Sequence, residues 1–371
     1  MITALLALTA PLVFAAPPTK SGPESPAKSV AIRADVVWLG DGRVLEKGVV
    51  LFSEGRIAEI GTNVSVPAGV ETIEHKGFLT AGLIALHGYT GGQAGEMRDD
   101  ARPAMPNAKI GLVFDASSPD VADARAVGIT SLLLTPNAEG VAPGLTAVVK
   151  TSSRRLLKDE AHLSLVFNAG GLVSNREPTS LSGAVAMLDQ LFAKPTGAVE
   201  RAHGGSLPCL FEVGEPADVL RAIDFAKRHD LRGVIHGAVL AGEVADQIKA
   251  SKLSVIVPAI GVGERRRNLK SVVALAKKEI PFGFGLDSPV NNPADLRLGA
   301  VMCVREGVDA KVAWNALTSE AARIAGVADR VGTIDRGMDA DVVLWSGDPL
   351  DLGSRVIAVY VDGARVDGDK R

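Results

Sequence analysis

The sequence predicts an α/β protein, a (β/α)8 barrel of the TIM type with a small β-sandwich built from both ends of the chain. Three observations carry this. Short apolar runs alternate with helix-period segments through the middle of the chain, the pattern of βα units around a parallel sheet. There are eight such runs, the number that closes a barrel. Near both ends, period-two alternation is broken by Gly, Asp and Asn turns instead.

Residues 1–16 form an apolar run too short to span a bilayer, and Val13-Phe14-Ala15 puts small residues where a signal peptidase reads them. A cleaved signal peptide and a periplasmic or secreted protein are expected, although the run lacks Lys and Arg. Residues 17–29, rich in Pro, Ser and Lys, read as a disordered linker. Residues 30–77 and 332–371 supply the β-sandwich. Residues 78–331 supply the barrel, with strands expected at 83–87, 130–135, 146–150, 163–168, 207–212, 233–236, 253–257 and 281–286. Among the intervening helices, 217–229 sets Val219, Leu220, Ile223 and Ala226 on one face.

At 371 residues, 47% hydrophobic and 22% charged, the chain can bury such a core. Lys and Arg total 40 against 43 Asp and Glu, a formal net charge of -3 without a basic stripe, so nucleic acid is excluded as an expected partner. Cys209 and Cys303 lie in apolar stretches and read as small core residues rather than a disulfide or a zinc knuckle. No membrane span is expected after signal cleavage, and self-association stays open.

In a barrel of this kind the loops after the strands build the pocket, so reactive groups sit at the C-terminal strand ends. That rule selects His87, Lys150, Asn168, Glu212, His236 and Asp287. A carboxylate closing the apolar strand LPCLFE must be paired, metal-bound or protonated, so Glu212 is a ligand, an acid/base or half of an ion pair. Of the other histidines, His162 begins a strand and belongs to the face that carries stability rather than chemistry.

Two stretches resemble the amidohydrolase superfamily. GRIAEIGTNVSVPAGVETIEHKGFLTAGLIALHGY is similar to that family's sandwich strands running into its first barrel strand, and NALTSEAARIAGVADRVGTIDRGMDADVVLWSGDPL to its closing helix and return to the sandwich. The resemblance implies metal-binding histidines on strands one, five and six and a metal-binding, proton-handling aspartate on strand eight. His87 keeps the first histidine, Tyr89 stands where the second belongs, and Ala85 and Ala81 replace the family's Asp and Pro. Glu212 ends strand five in place of His, His236 ends strand six, and Asp287 lies in FGFGLDSP.

The resemblance therefore implies a hydrolase for C–N bonds of a small amide, cyclic amide or dipeptide-like substrate. His87, Glu212, His236 and Asp287 would hold one divalent ion, zinc by ligand type, and Asp287 would act as general base. Tyr89, Lys150 and Asn168 are left to contact substrate or to support the ligands. The departures also admit an alternative, a catalytically inactive barrel that binds a ligand or partner.

Overall fold

The computed structural model describes residues 29–97, 99, 101–172, 174 and 176–366; the expected signal peptide and all but the last linker residue lie outside them. Four strands follow, β1 (Val30–Trp38), β2 (Val44–Ser53), β3 (Arg56–Gly61) and β4 (Glu71–Ala81); burial alternates along parts of β1 and β4, while residues 48–52 of β2 are all buried. Gly82 is the joint from this sheet into the barrel. A Cβ there would lie 2.1 Å from Thr130 Oγ1, so the crossing needs a residue without a side chain.

The barrel strands are β5 (Leu83–Gly88), β6 (Ile129–Leu134), β7 (Gly144–Leu145), β8 (Ala147–Lys150), β9 (Leu156–Lys158), β10 (Leu163–Val166), β11 (Cys209–Glu212), β12 (Gly233–His236), β13 (Ser254–Val257) and β14 (Phe282–Ser288). Every strand from β10 round through β14 and β5 to β6 pairs in parallel. The ladder ends at β7, antiparallel to β10, and on the other side at β8, antiparallel to β6, with β9 beside it. Only Thr146 separates β7 from β8, so one extended segment, 144–150, joins both sides and the ladder returns on itself.

Ile84, Leu86, Leu133, Val148, Leu210, Val234 and Ile256 form one buried cluster with Ala321, Ala322, Ile324 and Ala325. The last four belong to the helix Ser319–Ala325, which closes the N-terminal end of the ring. Helices cover the outside. In Pro216–Arg228 the buried face is Val219, Ala222, Phe225 and Ala226, whereas Leu220, expected on it, is exposed.

After the barrel the chain returns as β15 (Val342–Trp345), β16 (Val356–Val361) and β17 (Ala364–Arg365). The two ends meet in one seven-stranded sheet, ordered β17-β16-β15-β4-β1-β2-β3. Trp345 Nε1 donates to Thr80 Oγ1 at 2.9 Å across the β4–β15 pair.

The third strand corrects an expectation. Read as a parallel strand, 146–150 would deliver Lys150 to the pocket end. It runs the other way, Lys150 lies opposite Ser131 near the start of β6, and no βα unit intervenes between β6 and β8. Lys150 therefore lies at the opposite end of the barrel from His87, Glu212, His236 and Asp287. It is fully buried at the base, with Nζ 2.8 Å from Asp339 Oδ2 and 2.9 Å from Asp341 Oδ1, and bonded also to Asp362. Burial opposes its charge, but the three carboxylates outweigh it and hold the ammonium pKa above its ordinary value. Burial also pushes Asp341 up to about 6 despite the lysine beside it, while Arg330 and Lys150 hold Asp339 down.

This cluster ties the barrel to the sheet, and removing Lys150 leaves the buried Asp341 without its cation, while Asp339 keeps Arg330. Lys150→Met is expected to lower unfolding stability by about 3–5 kcal/mol. Denaturant titration checks this; a wild-type midpoint contradicts it.

Candidate metal centre

Parallel pairing in register places equivalent residues side by side, and β11 and β12 pair Glu212 with His236. Each lies two residues past a buried apolar residue of the same inward face, Leu210 and Val234. The two side chains therefore emerge together at the C-terminal end of the ring, with Glu212 Oε2 2.9 Å from His236 Nδ1.

His87 and Asp287 arrive by a different device. Between β14 and β5 the register slips, Gly285 facing Leu86 but Ser288 facing Gly88, so Leu286 and Asp287 stand opposite His87 alone. Both residues of this bulge that carry function are left-handed, His87 at φ 61° and Asp287 at φ 51°. Asp and His are among the side chains that tolerate that region, and bulges re-aim side chains beside active sites. Gly88 completes the arrangement, since a Cβ there would meet Ser288 O at 2.7 Å.

The four side chains close on one another. Glu212 bridges the imidazoles through Oε1 to His87 Nε2 (2.9 Å) and Oε2 to His236 Nδ1. Asp287 Oδ1 lies 2.6 Å from His87 Nδ1 and 3.2 Å from His236 Nε2. The second approach is off the hydrogen-bond direction, so the buried His236 Nε2 has no hydrogen-bond partner. The rings stack with centroids 3.5 Å apart and planes 20° from parallel. Asp287 Oδ2 accepts the backbone N–H of Ala259 at 3.2 Å. Side-chain exposure falls from 28% at Asp287 and 18% at His87 to 7% at His236 and 4% at Glu212, so Asp287 faces the entrance and Glu212 the floor.

Burial disfavours charge on all four groups, yet mutual attraction wins. Glu212 is held down to about 2 by His87 and His236, and Asp287 well below the carboxylate range by the same imidazoles. Against burial, the carboxylates raise His87 to about 10 and raise His236 also, although His87 beside it works the other way.

Among the described residues, His87, Glu212 and His236 are the group whose donor atoms, all within 4.8 Å of one another, could hold a metal ion. Two imidazole nitrogens and a carboxylate oxygen suit a catalytic divalent ion with an open position, and an orphaned imidazole nitrogen fits the same role. Asp287 stands beside the three, on the Nδ1 of His87 and the Nε2 of His236. Asn168 lies at the same end of the barrel but caps a short 3-10 turn, its Oδ1 accepting Gly170 N–H at 2.8 Å. The Tyr89 ring packs against the apolar cluster under the helices, and its backbone N–H donates to Ser288 O at 2.7 Å. Neither hydrogen-bonds to the quartet. His162 is at the base, between Thr146 Oγ1 and Ile324 O, and burial lowers its pKa to about 4. The Ala259 amide escapes sequence reading because a backbone donor has no side-chain signature.

A family model described as an amidohydrolase family matches residues 214–367. The imidazolonepropionase of Xanthomonas axonopodis pv. citri (strain 306) is 26% identical over 368 residues, spanning 84% of this chain and 90% of its own. That of Stenotrophomonas maltophilia (strain R551-3) is 27% identical over 374 residues, spanning 84% and 89%. Among solved structures, an amidohydrolase from Thermotoga maritima MSB8 matches with a TM-score of 0.83 at 24% identity, covering 91% of this chain and 99% of that one. A Xaa-Pro dipeptidase with bound methionine matches at 0.63 and 14% identity, covering 91% and 100%. These two likenesses speak for the fold.

Because His87 is raised from its ordinary 6.5 to about 10, its proton stabilises the metal-free fold fully below 6.5 and that contribution is lost as pH rises through about 10. A metal must displace such protons. A divalent ion bound by these residues is therefore expected to take one equivalent per chain with proton release at neutral pH, its affinity rising with pH from about 6 to 9. Calorimetry in two buffers of different ionisation heat measures this, and two tight equivalents, or binding without proton release, would count against the ligand assignment.

Proposed function

The chain belongs to the amidohydrolase superfamily, and on that premise we propose that it hydrolyses a C–N bond of a small amide, cyclic amide or dipeptide-like substrate. The observation that carries the proposal is the convergence of His87, Glu212, His236 and Asp287 from four strands. The relatives named imidazolonepropionase span most of this chain, in keeping with a small C–N substrate.

His87, Glu212 and His236 would hold one divalent ion, zinc by donor type, which when bound lowers the pKa of water towards ~7 and polarises a carbonyl. Asp287 is the most exposed of the quartet, with His87 next. Its carboxylate takes the proton of the attacking water and returns it to the leaving nitrogen as the C–N bond breaks, giving an acid and an amine. The Ala259 N–H holds the carboxylate's other oxygen and fixes its orientation through the reaction. Glu212, bonded to both imidazoles, keeps their rings in place.

Export is proposed too, on the apolar run 1–16 alone, and it implies a mature N-terminus near Ala16. Intact-mass measurement of the protein from its native host decides this, an uncleaved N-terminus counting against it.

Asp287→Asn keeps the size of the side chain and suits the left-handed backbone, but removes the base. It is expected to fold normally and to lose turnover by roughly 10²–10⁴-fold. Steady-state kinetics on N-acyl amino acids and cyclic amides test this; a variant that keeps most of its kcat overturns the general-base role.

A further inference from the structure

A cavity of about 230 Å³ lies between the β1–β2 turn and the helix Ala310–Asn315. Its apolar walls are the half-buried Trp38, the buried Trp314, Val44 and Ala310, and among the described residues the ionisable side chains that line it are two cations, Arg43 and Lys311. These walls are held in place by other contacts. Trp38 packs edge-on against Phe78 (ring centroids 5.7 Å apart) and Trp314 (5.3 Å), and behind the turn Leu39 O accepts the N–H of Ile334 at 2.8 Å. Asp309 Oδ1 caps the helix by accepting the N–H groups of Lys311 and Val312. The cavity is separate from the metal centre. Its helix leads into Ala316 and Leu317, whose carbonyls accept the N–H groups of Phe284 and Ile84 near the starts of β14 and β5, whereas Asp287 and His87 stand towards the other ends of those strands.

A preformed, mostly apolar space edged by a few polar groups has the form of a small-molecule site. Indole rings and a valine that keeps 48% of its surface in water favour a hydrocarbon or aromatic group. At about 30 Å³ for each water-sized group, the space takes about eight of them. Charge decides the head group. Arg43 is already shared between Asp41 (2.6 Å) and Asp335 (3.5 Å), but the exposed Lys311 has no ion-pair partner among the described residues. One negative charge is therefore matched here, and a dianion is not. We infer that this cavity binds a small amphiphilic monocarboxylate, an aliphatic or aromatic acid whose tail lies against Trp38 and Trp314 and whose carboxylate meets Lys311. The inference stands independently of the hydrolase reading.

The three tryptophans of the chain, Trp38, Trp314 and Trp345, form one run of edge-to-face contacts, so intrinsic fluorescence reports on this cavity. The test titrates the full chain with octanoate, butyrate, 1-octanol and octylammonium, reading tryptophan fluorescence and taking the stoichiometry from calorimetry. Octanoate is expected to saturate at one equivalent. Each buried CH₂ adds up to about fourfold, so octanoate is expected to bind at least ~10-fold more tightly than butyrate, with octylammonium weakest of the eight-carbon probes. Lys311→Glu is expected to weaken octanoate roughly fivefold and to reverse the order of octanoate and octylammonium. Ala310→Phe is expected to fill the cavity and abolish saturable binding. Both positions are exposed, so both variants are expected to keep the wild-type thermal midpoint. An absent or unsaturable response, equal affinity for the acid and the amine, or octanoate binding unmoved in both variants overturns the site. Self-association of the chain that Ala310→Phe abolishes and octanoate leaves intact assigns the cavity to a second copy and overturns it too.

Discussion

Closure of the ring is the constraint on which the rest of the molecule depends. A parallel barrel needs a partner for both edges of the sheet, and here the edges of β6 and β10 are satisfied by one segment, 144–150, running against both. Reversal of that segment dispenses with a crossover helix at this point, because antiparallel neighbours can be joined by a short turn whereas parallel ones cannot. It also carries Lys150 to the base of the barrel rather than to the mouth. Its charge can be buried there because the returning chain brings Asp339, Asp341 and Asp362 to the same place. The reversed strand thus closes the ring and anchors the small sheet, leaving the pocket to the parallel strands.

The mouth meets a second constraint, that of placing four ionisable side chains in a small, largely buried space. In-register pairing suffices for Glu212 and His236. The other two come from strands whose regular register would not bring His87 and Asp287 together, and the bulge with two left-handed residues supplies the difference. Such backbone positions cost of order 1–3 kcal/mol each and persist where surrounding contacts over-determine them. The His87–Asp287 contact, the Ala259 N–H on Asp287 and the Tyr89 N–H on Ser288 are contacts of that kind.

Strand periodicity and strand-end placement made the barrel, the two-ended sheet and the positions of His87, Glu212, His236 and Asp287 legible before any coordinates. They failed where direction matters. The run TAVVK has the same apolar period read forwards or backwards, so nothing in it reveals that Lys150 points away from the pocket; the partners that decide the matter are aspartates about 190 residues or more distant in the chain. Leu220 failed similarly, because helical spacing gives an apolar arc but not which edge of the arc turns outward. Backbone groups such as the Ala259 amide and the register slip opposite His87 leave no trace in residue type.

The departures from the family pattern make sense together when charge is counted. With Tyr89 in place of a second first-strand histidine, the centre loses a neutral donor. With Glu212 in place of a histidine on strand five, it gains a negative one. Glu212 and Asp287 then bring two negative charges, which one divalent ion would balance and which protons on the imidazoles offset in its absence. The two carboxylates raise both imidazole pKa values, so the rings are where the metal-free centre takes up protons. Proton and metal become alternative occupants of one electrostatic site. A second divalent ion would leave the same pocket with two uncompensated positive charges and no further acidic ligand among the four residues. A mononuclear centre is therefore what this donor set supports, and the carboxylate at Asp287, half-buried and oriented by a backbone amide, is the group proposed to move protons there.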